Sequence, residues 1–145
     1  MEIYTIGFTK KTAAQFFGAL READVEQLID VRLNNISQLA GFTKRDDLEF
    51  FLSELCNASY LHEPMLAPTQ PLLDSYKKRH LPWNEYEHKF TQLMADRRIE
   101  DRLDPGLFER RTVLLCSEPT AERCHRRLVV EYLDKAWGDV RAVNL

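Results

Sequence analysis

Five short runs rich in β-branched and aromatic residues punctuate the chain: EIYTIGF (2–8), QLIDVRL (27–33), ASYLHEP (58–64), RTVLLCS (111–117) and VRAVNL (140–145). Between them the apolar residues recur at helical spacing. Runs of this kind read as strands and the intervening stripes as helices. Strands joined through helices return to their sheet by right-handed crossovers, which predicts a three-layer α/β fold. Its core is a mainly parallel sheet of about five strands with helices on both faces. At 145 residues the chain has the length of one domain, so a single α/β domain over 1–145 is expected.

Local signals refine the helices. Thr12 and Gln15 have the form of a capping box, and Ala13, Phe16, Phe17 and Leu20 then form a stripe. Asp46 followed by Glu49 marks a second start, with Leu48, Phe51, Leu52 and Leu55 inward. Pro64, Pro68, Pro71 and Pro82 bracket a region read as irregular chain around a short helix at about 70–78. Residues 83–102 predict one longer helix with Tyr86, Phe90, Leu93, Met94 and Ile99 inward. The stretch PTAERCHRRLVVEYLDKAW predicts the last helix, with Pro119 in its first turn and Gly138 just past its end.

In parallel α/β sheets, ligands bind beyond the carboxyl ends of the strands. The residues standing there are Gly7, Phe8 and Thr9; Asp30 and Arg32; His62 and Glu63; and Cys116, Ser117 and Glu118. Ionisable groups of otherwise apolar strands thus gather at one sheet edge. Asp30 and Arg32 share a strand face, as a structural ion pair or as an arginine fork oriented by a carboxylate toward an anion. Arg123, Arg126 and Arg127 add positive charge to a helix start whose free N–H groups already attract anions, and Arg126, beside His125, is the preferred ligand contact. Glu118 and Glu63 are candidate acid–base carboxylates, Glu118 equally a cap of its own helix. Lys77, Lys78 and Arg79 before Leu81-Pro82-Trp83, with Lys44 and Arg45, read as solvated charge or as the rim of a polyanion site.

Three cysteines, Cys56, Cys116 and Cys124, cannot all pair with one another, and a reducing cytoplasm is expected. A thiolate nucleophile at Cys116 is disfavoured: Glu118 puts negative charge where an oxyanion would sit, and Pro119 removes an N–H. No metal is expected either. Cys116, Cys124 and His125, with His62 as a distant fourth, match no finger or ribbon spacing, and neighbours on a helix point about 100 degrees apart. Gly7 lacks the further glycines of a dinucleotide fingerprint, so no cofactor is expected. A net charge of -3 excludes a strongly basic nucleic-acid scaffold, and no apolar stretch has the length of a signal peptide or membrane span.

The opening IYTIGFT, then LIDVR, then YLHEP, then LLCSE followed by CHRRLVVEYL occur in one order across nearly the whole chain. In that combination the sequence resembles the domain of unknown function 488 family of small, mostly prokaryotic proteins. The resemblance implies an α/β fold and a site built on Gly7, Asp30, Arg32, His62, Cys116, Glu118, Cys124, His125 and Arg126. Where the family commonly has His-Ser after Thr-Ile-Gly this chain has Phe8-Thr9, and in place of a Leu-Gly-Gly loop it has Met65-Leu66-Ala67.

Together these residues predict a crevice for an anionic small molecule or nucleic acid, with a nucleotide or nucleic-acid phosphate as the expected ligand. Gly7, Asp30, Arg32, His62, Glu63, Cys116 and Arg126 are its ligand-binding residues. As an enzyme it would be a hydrolase or transferase with Glu118 and His125 carrying protons. The alternative is a non-catalytic binding or regulatory module, ranked above a rhodanese- or phosphatase-like cysteine enzyme.

Overall fold

The computed structural model describes residues 1–36, 41–117 and 123–145. Five parallel strands, β1 (Glu2–Gly7), β2 (Gln27–Asp30), β3 (Ser59–His62), β4 (Thr112–Cys116) and β5 (Arg141–Asn144), form one sheet in the order β3-β2-β4-β1-β5. The helices are α1 (Ala13–Glu22), α2 (Arg45–Phe51), α3 (Gln70–Lys77), α4 (Trp83–Arg97), α5 (Ile99–Arg102) and α6 (His125–Trp137).

Alternation along the strands sorts the core into two layers. Ile3, Ile29 and Leu114 pack with Phe90 and Met94 of α4 and Leu128 and Val129 of α6. Ile6, Leu28, Val113 and Leu115 face the other way, against Phe16 and Leu20 of α1 and Leu48 of α2. Each such side chain withdrawn from water stabilises the fold by about 1.5–3 kcal/mol. Cys116 follows Leu114 by two residues and shares its layer, so the strand's period of two aims its thiol toward α4 and α6.

The switch of layer falls between neighbouring strands. The chain leaves β2 toward α2 on one face and leaves β4 toward α6 on the other, while β2 and β4 are paired side by side. Their diverging exits open a crevice at the carboxyl ends, as parallel sheets do where strand order reverses.

The capping box of Thr12 and Gln15 forms in both directions, at 3.1 and 2.9 Å. Other expectations need correction. Asp46 does not start its helix: Lys44 stands at the N-cap without a side-chain bond, and Asp46 lies in the first turn. The helix expected over 83–102 is two, because Arg98 takes a left-handed conformation (φ 54°, ψ 52°) and turns the chain between α4 and α5. The last helix begins at His125, later than expected, with Cys124 as an extended N-cap (φ -137°, ψ 141°). Pro119, which was expected in its first turn, lies outside the described residues. Gly138 ends α6 at φ 77°, a backbone region that favours glycine.

Among the described residues no helix is long and apolar enough to cross a membrane.

Candidate functional site

Beyond the ends of β2 and β4 lies a cavity of about 220 Å³. Its floor is the chain leaving the two strands, Arg32–Asn34 and Cys116–Ser117; Arg123–His125 and the rings of Tyr76, Trp83 and Tyr86 complete the lining. Those aromatic rings touch one another, with centroids 5.4 Å apart for Tyr76 and Trp83 and 5.3 Å for the stacked pair Trp83 and Tyr86. The row continues inward through Phe90 to the His125 ring, 5.5 Å away. Trp83, Tyr86, Phe90 and Met94 lie along one stripe of α4, whose inner end is core and whose outer end is cavity wall. Exposed Lys77 and Arg123 stand at the mouth.

At the floor, Cys116 Sγ is 3.3 Å from Nδ1 of His125, and Nε2 of that ring is 2.7 Å from the carbonyl oxygen of Val31. A carbonyl only accepts, so Nε2 carries a proton and donates it to Val31. In the neutral ring Nδ1 is therefore left with a lone pair facing the Cys116 thiol. The thiol of Cys124 joins the group: burial first, then a hydrogen bond with Cys116, pushes its pKa well above the usual thiol range. Cys116, Cys124 and His125 present one donor atom each, all within 4.8 Å of one another, and all three are buried. The expectation that Cys124 and His125 diverge rested on both being helical. Cys124 is extended instead, and its side chain turns back toward Cys116.

Asp30 and Arg32 form the ion pair that their spacing allowed. Nε and Nη2 of Arg32 donate to Oδ1 and Oδ2 of Asp30 at 2.9 and 2.8 Å, while Nη2 also donates to Thr43 O at 2.7 Å. Tyr60 adds a hydroxyl donor to Asp30 at 2.7 Å, and the Arg32 amide a further one at 3.1 Å. Burial, and then the neighbouring Asp30, raise the Tyr60 pKa. Arg32 lines the cavity while most of its guanidinium is spent on this network; its buried Nη1 has no hydrogen-bond partner among the described residues.

His62 lies at the end of β3, its Nε2 2.8 Å from Arg32 O, and Glu63 accepts from the Met65 amide at 3.2 Å, capping a short 3-10 turn. Gly7 pairs with Cys116 in the sheet. Arg126 is 1% exposed and close enough to Lys11 to lower that lysine's pKa after burial has done so. None of these four, nor Asp30, lines the cavity, whereas Arg32, Cys116 and His125 do. Glu118, the expected acid–base group, lies outside the described residues. Trp83, Tyr76 and Tyr86 were not expected at the site: aromatic residues at helical spacing read as core, which Tyr86 also is.

The arrangement defines a parallel α/β protein with an aromatic-walled crevice at a topological switch point and a Cys-Cys-His cluster on its floor. Residues 12–133 match the family described as domain of unknown function DUF488, and the chain belongs to that family. No curated protein and no solved structure matches the chain.

Proposed function

We propose that the crevice binds a nucleotide, or a single nucleotide of a nucleic acid, with its base against the aromatic wall and its phosphate toward the basic mouth. The observation that carries this reading is the composition of the cavity lining: the aromatic rings of Tyr76, Trp83 and Tyr86 together with exposed Arg123 and Lys77. Tyr86 is buried between Trp83 and Phe90, so the ring surface open to a base is that of half-buried Tyr76 and Trp83. Base stacking contributes about 1–3 kcal/mol, and an arginine offers phosphate a two-pronged donor. The volume of about 220 Å³ favours one base or one phosphoryl group over an extended ligand. The anion is thus assigned to Arg123 and Lys77 rather than to Arg126, which is enclosed, or to the part of Arg32 already held by Asp30.

The test is a thermal-shift and calorimetric screen of nucleoside mono-, di- and triphosphates and short single strands. Trp83→Ala is expected to weaken binding of the best ligand about 5- to 150-fold, the range that loss of one stacking partner implies. Arg123→Ala should weaken it further at low salt than at high salt. A ligand that shifts wild type and both variants equally would remove the cavity from consideration, as would a screen in which nothing binds.

A further inference from the structure

We propose that Cys116, Cys124 and His125 form a binding site for a divalent transition-metal ion of the zinc type, with the cavity supplying its fourth ligand. Zinc prefers thiolate sulfur and imidazole nitrogen in a tetrahedron, with Zn–S about 2.3 Å and Zn–N about 2.0–2.1 Å, so a sulfur and a nitrogen ligand sit about 3.5–3.6 Å apart and two sulfurs about 3.7–3.8 Å. The distance of 3.3 Å between Cys116 Sγ and His125 Nδ1 has that scale, and all three donor atoms fall within 4.8 Å. Small side-chain rotations close the remainder.

A second feature points the same way independently of spacing. Metal-ligating histidines almost always donate their other ring N–H to a carboxylate or backbone carbonyl, which fixes tautomer and ring orientation. The His125 ring does this through Nε2 to Val31 O at 2.7 Å, which holds the Nδ1 lone pair toward the two sulfurs. Val31 follows β2, Cys116 ends β4 and Cys124 caps α6, so three elements converge on the point the ion would occupy.

The donor set also decides the type of site. Structural zinc sites carry four protein ligands; catalytic ones carry three, such as Cys2His, and leave a position for water or substrate. Among the described residues the group has three members, and all three line the cavity. His62 does not join them, being bound to Arg32 O at 2.8 Å. With these three as its protein ligands, a metal here is of the open kind, whose bound water is acidified and whose positive charge faces any anion in the cavity. The assignment stands on the donors and on Val31, not on the identity of the cavity's ligand.

The experiment uses the full chain, purified under reducing conditions, stripped with a chelator and titrated with Co²⁺ and then Zn²⁺ without any nucleotide. Wild type and Cys56→Ser are expected to take up about one Co²⁺ per chain with a thiolate-to-cobalt charge-transfer band, which Zn²⁺ abolishes. Cys124→Ser and Cys116→Ser should each weaken uptake more than about 100-fold, beyond the cost of losing an outer-sphere partner. Circular dichroism identifies which of the two serine variants is folded, and one folded variant suffices for the comparison. The proposal is overturned if wild type binds no Co²⁺, if a folded serine variant binds as wild type does, or if Cys116 and Cys124 prove to be joined by a disulfide. Because the readout involves metal alone, its failure leaves the nucleotide reading intact, and failure of that reading leaves this one intact.

Discussion

Asp30 is fully buried and accepts four hydrogen bonds, three of them from Arg32 and one from Tyr60. Such a pair is costly to desolvate, and its worth shows when one partner is taken away, because the other is left as an uncompensated buried charge. Asp30→Asn is expected to destabilise the protein by about 3–5 kcal/mol in chemical denaturation, against about 1 kcal/mol for Tyr60→Phe, which deletes one donor and leaves the pair whole. A loss for Asp30→Asn no larger than that for Tyr60→Phe would show that the carboxylate does not neutralise Arg32 in the folded state. This network was visible in LIDVRL as two charges on one strand face. Which use it served was not, because Thr43 and Tyr60, which complete it, arrive from distant parts of the chain.

At the scale of elements, the short helix α5 is tied to α6 by the Tyr132 hydroxyl, which donates to Glu100, and by Trp137 Nε1, 3.4 Å from Glu100 O. Tyr132 lowers the Glu100 pKa below its ordinary value, while burial and then Glu100 push the Tyr132 pKa up to about 12. The carboxylate's contribution is therefore complete above the unfolded-state pKa of about 4.3 and is lost as pH falls through the lowered folded value. The phenol's contribution is complete below about pH 10 and is lost as pH rises toward the folded value. Relative to wild type, Tyr132→Phe should have a lower melting temperature at neutral pH, with the gap narrowing at both acid and alkaline extremes. A gap that stays constant across pH would show that the Glu100 contact is not electrostatic. The break that creates α5 was illegible in the sequence: Ile99 continues the apolar stripe of α4, and nothing about Arg98 announces a left-handed backbone. The N-cap at Cys124 was hidden in the same way, since it makes no side-chain cap bond that its residue type would betray. The Thr12 capping box and the apolar run RTVLLCS, by contrast, are local chemistry and were read directly.

For the whole molecule, β4 is flanked by β1 and β2 and its residues are buried. Its amides should exchange with solvent only through global unfolding, whereas those of the edge strands β3 and β5 exchange through smaller openings. Hydrogen exchange followed by mass spectrometry should therefore find 112–116 among the slowest segments; equal rates in β3 would contradict the strand order. The position of a crevice at the carboxyl ends of the strands was legible at this scale from the alternation of strands and helices. Its aromatic wall was not, because only the packing of α3 and α4 distinguishes a ring facing the core from one facing a cavity. The strand order also sets a timetable. When the N-terminal half leaves the ribosome, β2 and β3 can pair, yet β1 has neither of its neighbours, since both β4 and β5 are made much later. At about 5–20 residues per second the first strand waits about 5–20 s for its partner. The floor of the cavity, with its Cys-Cys-His cluster, comes into being only when residue 125 has been made, so it is absent for most of the chain's own synthesis.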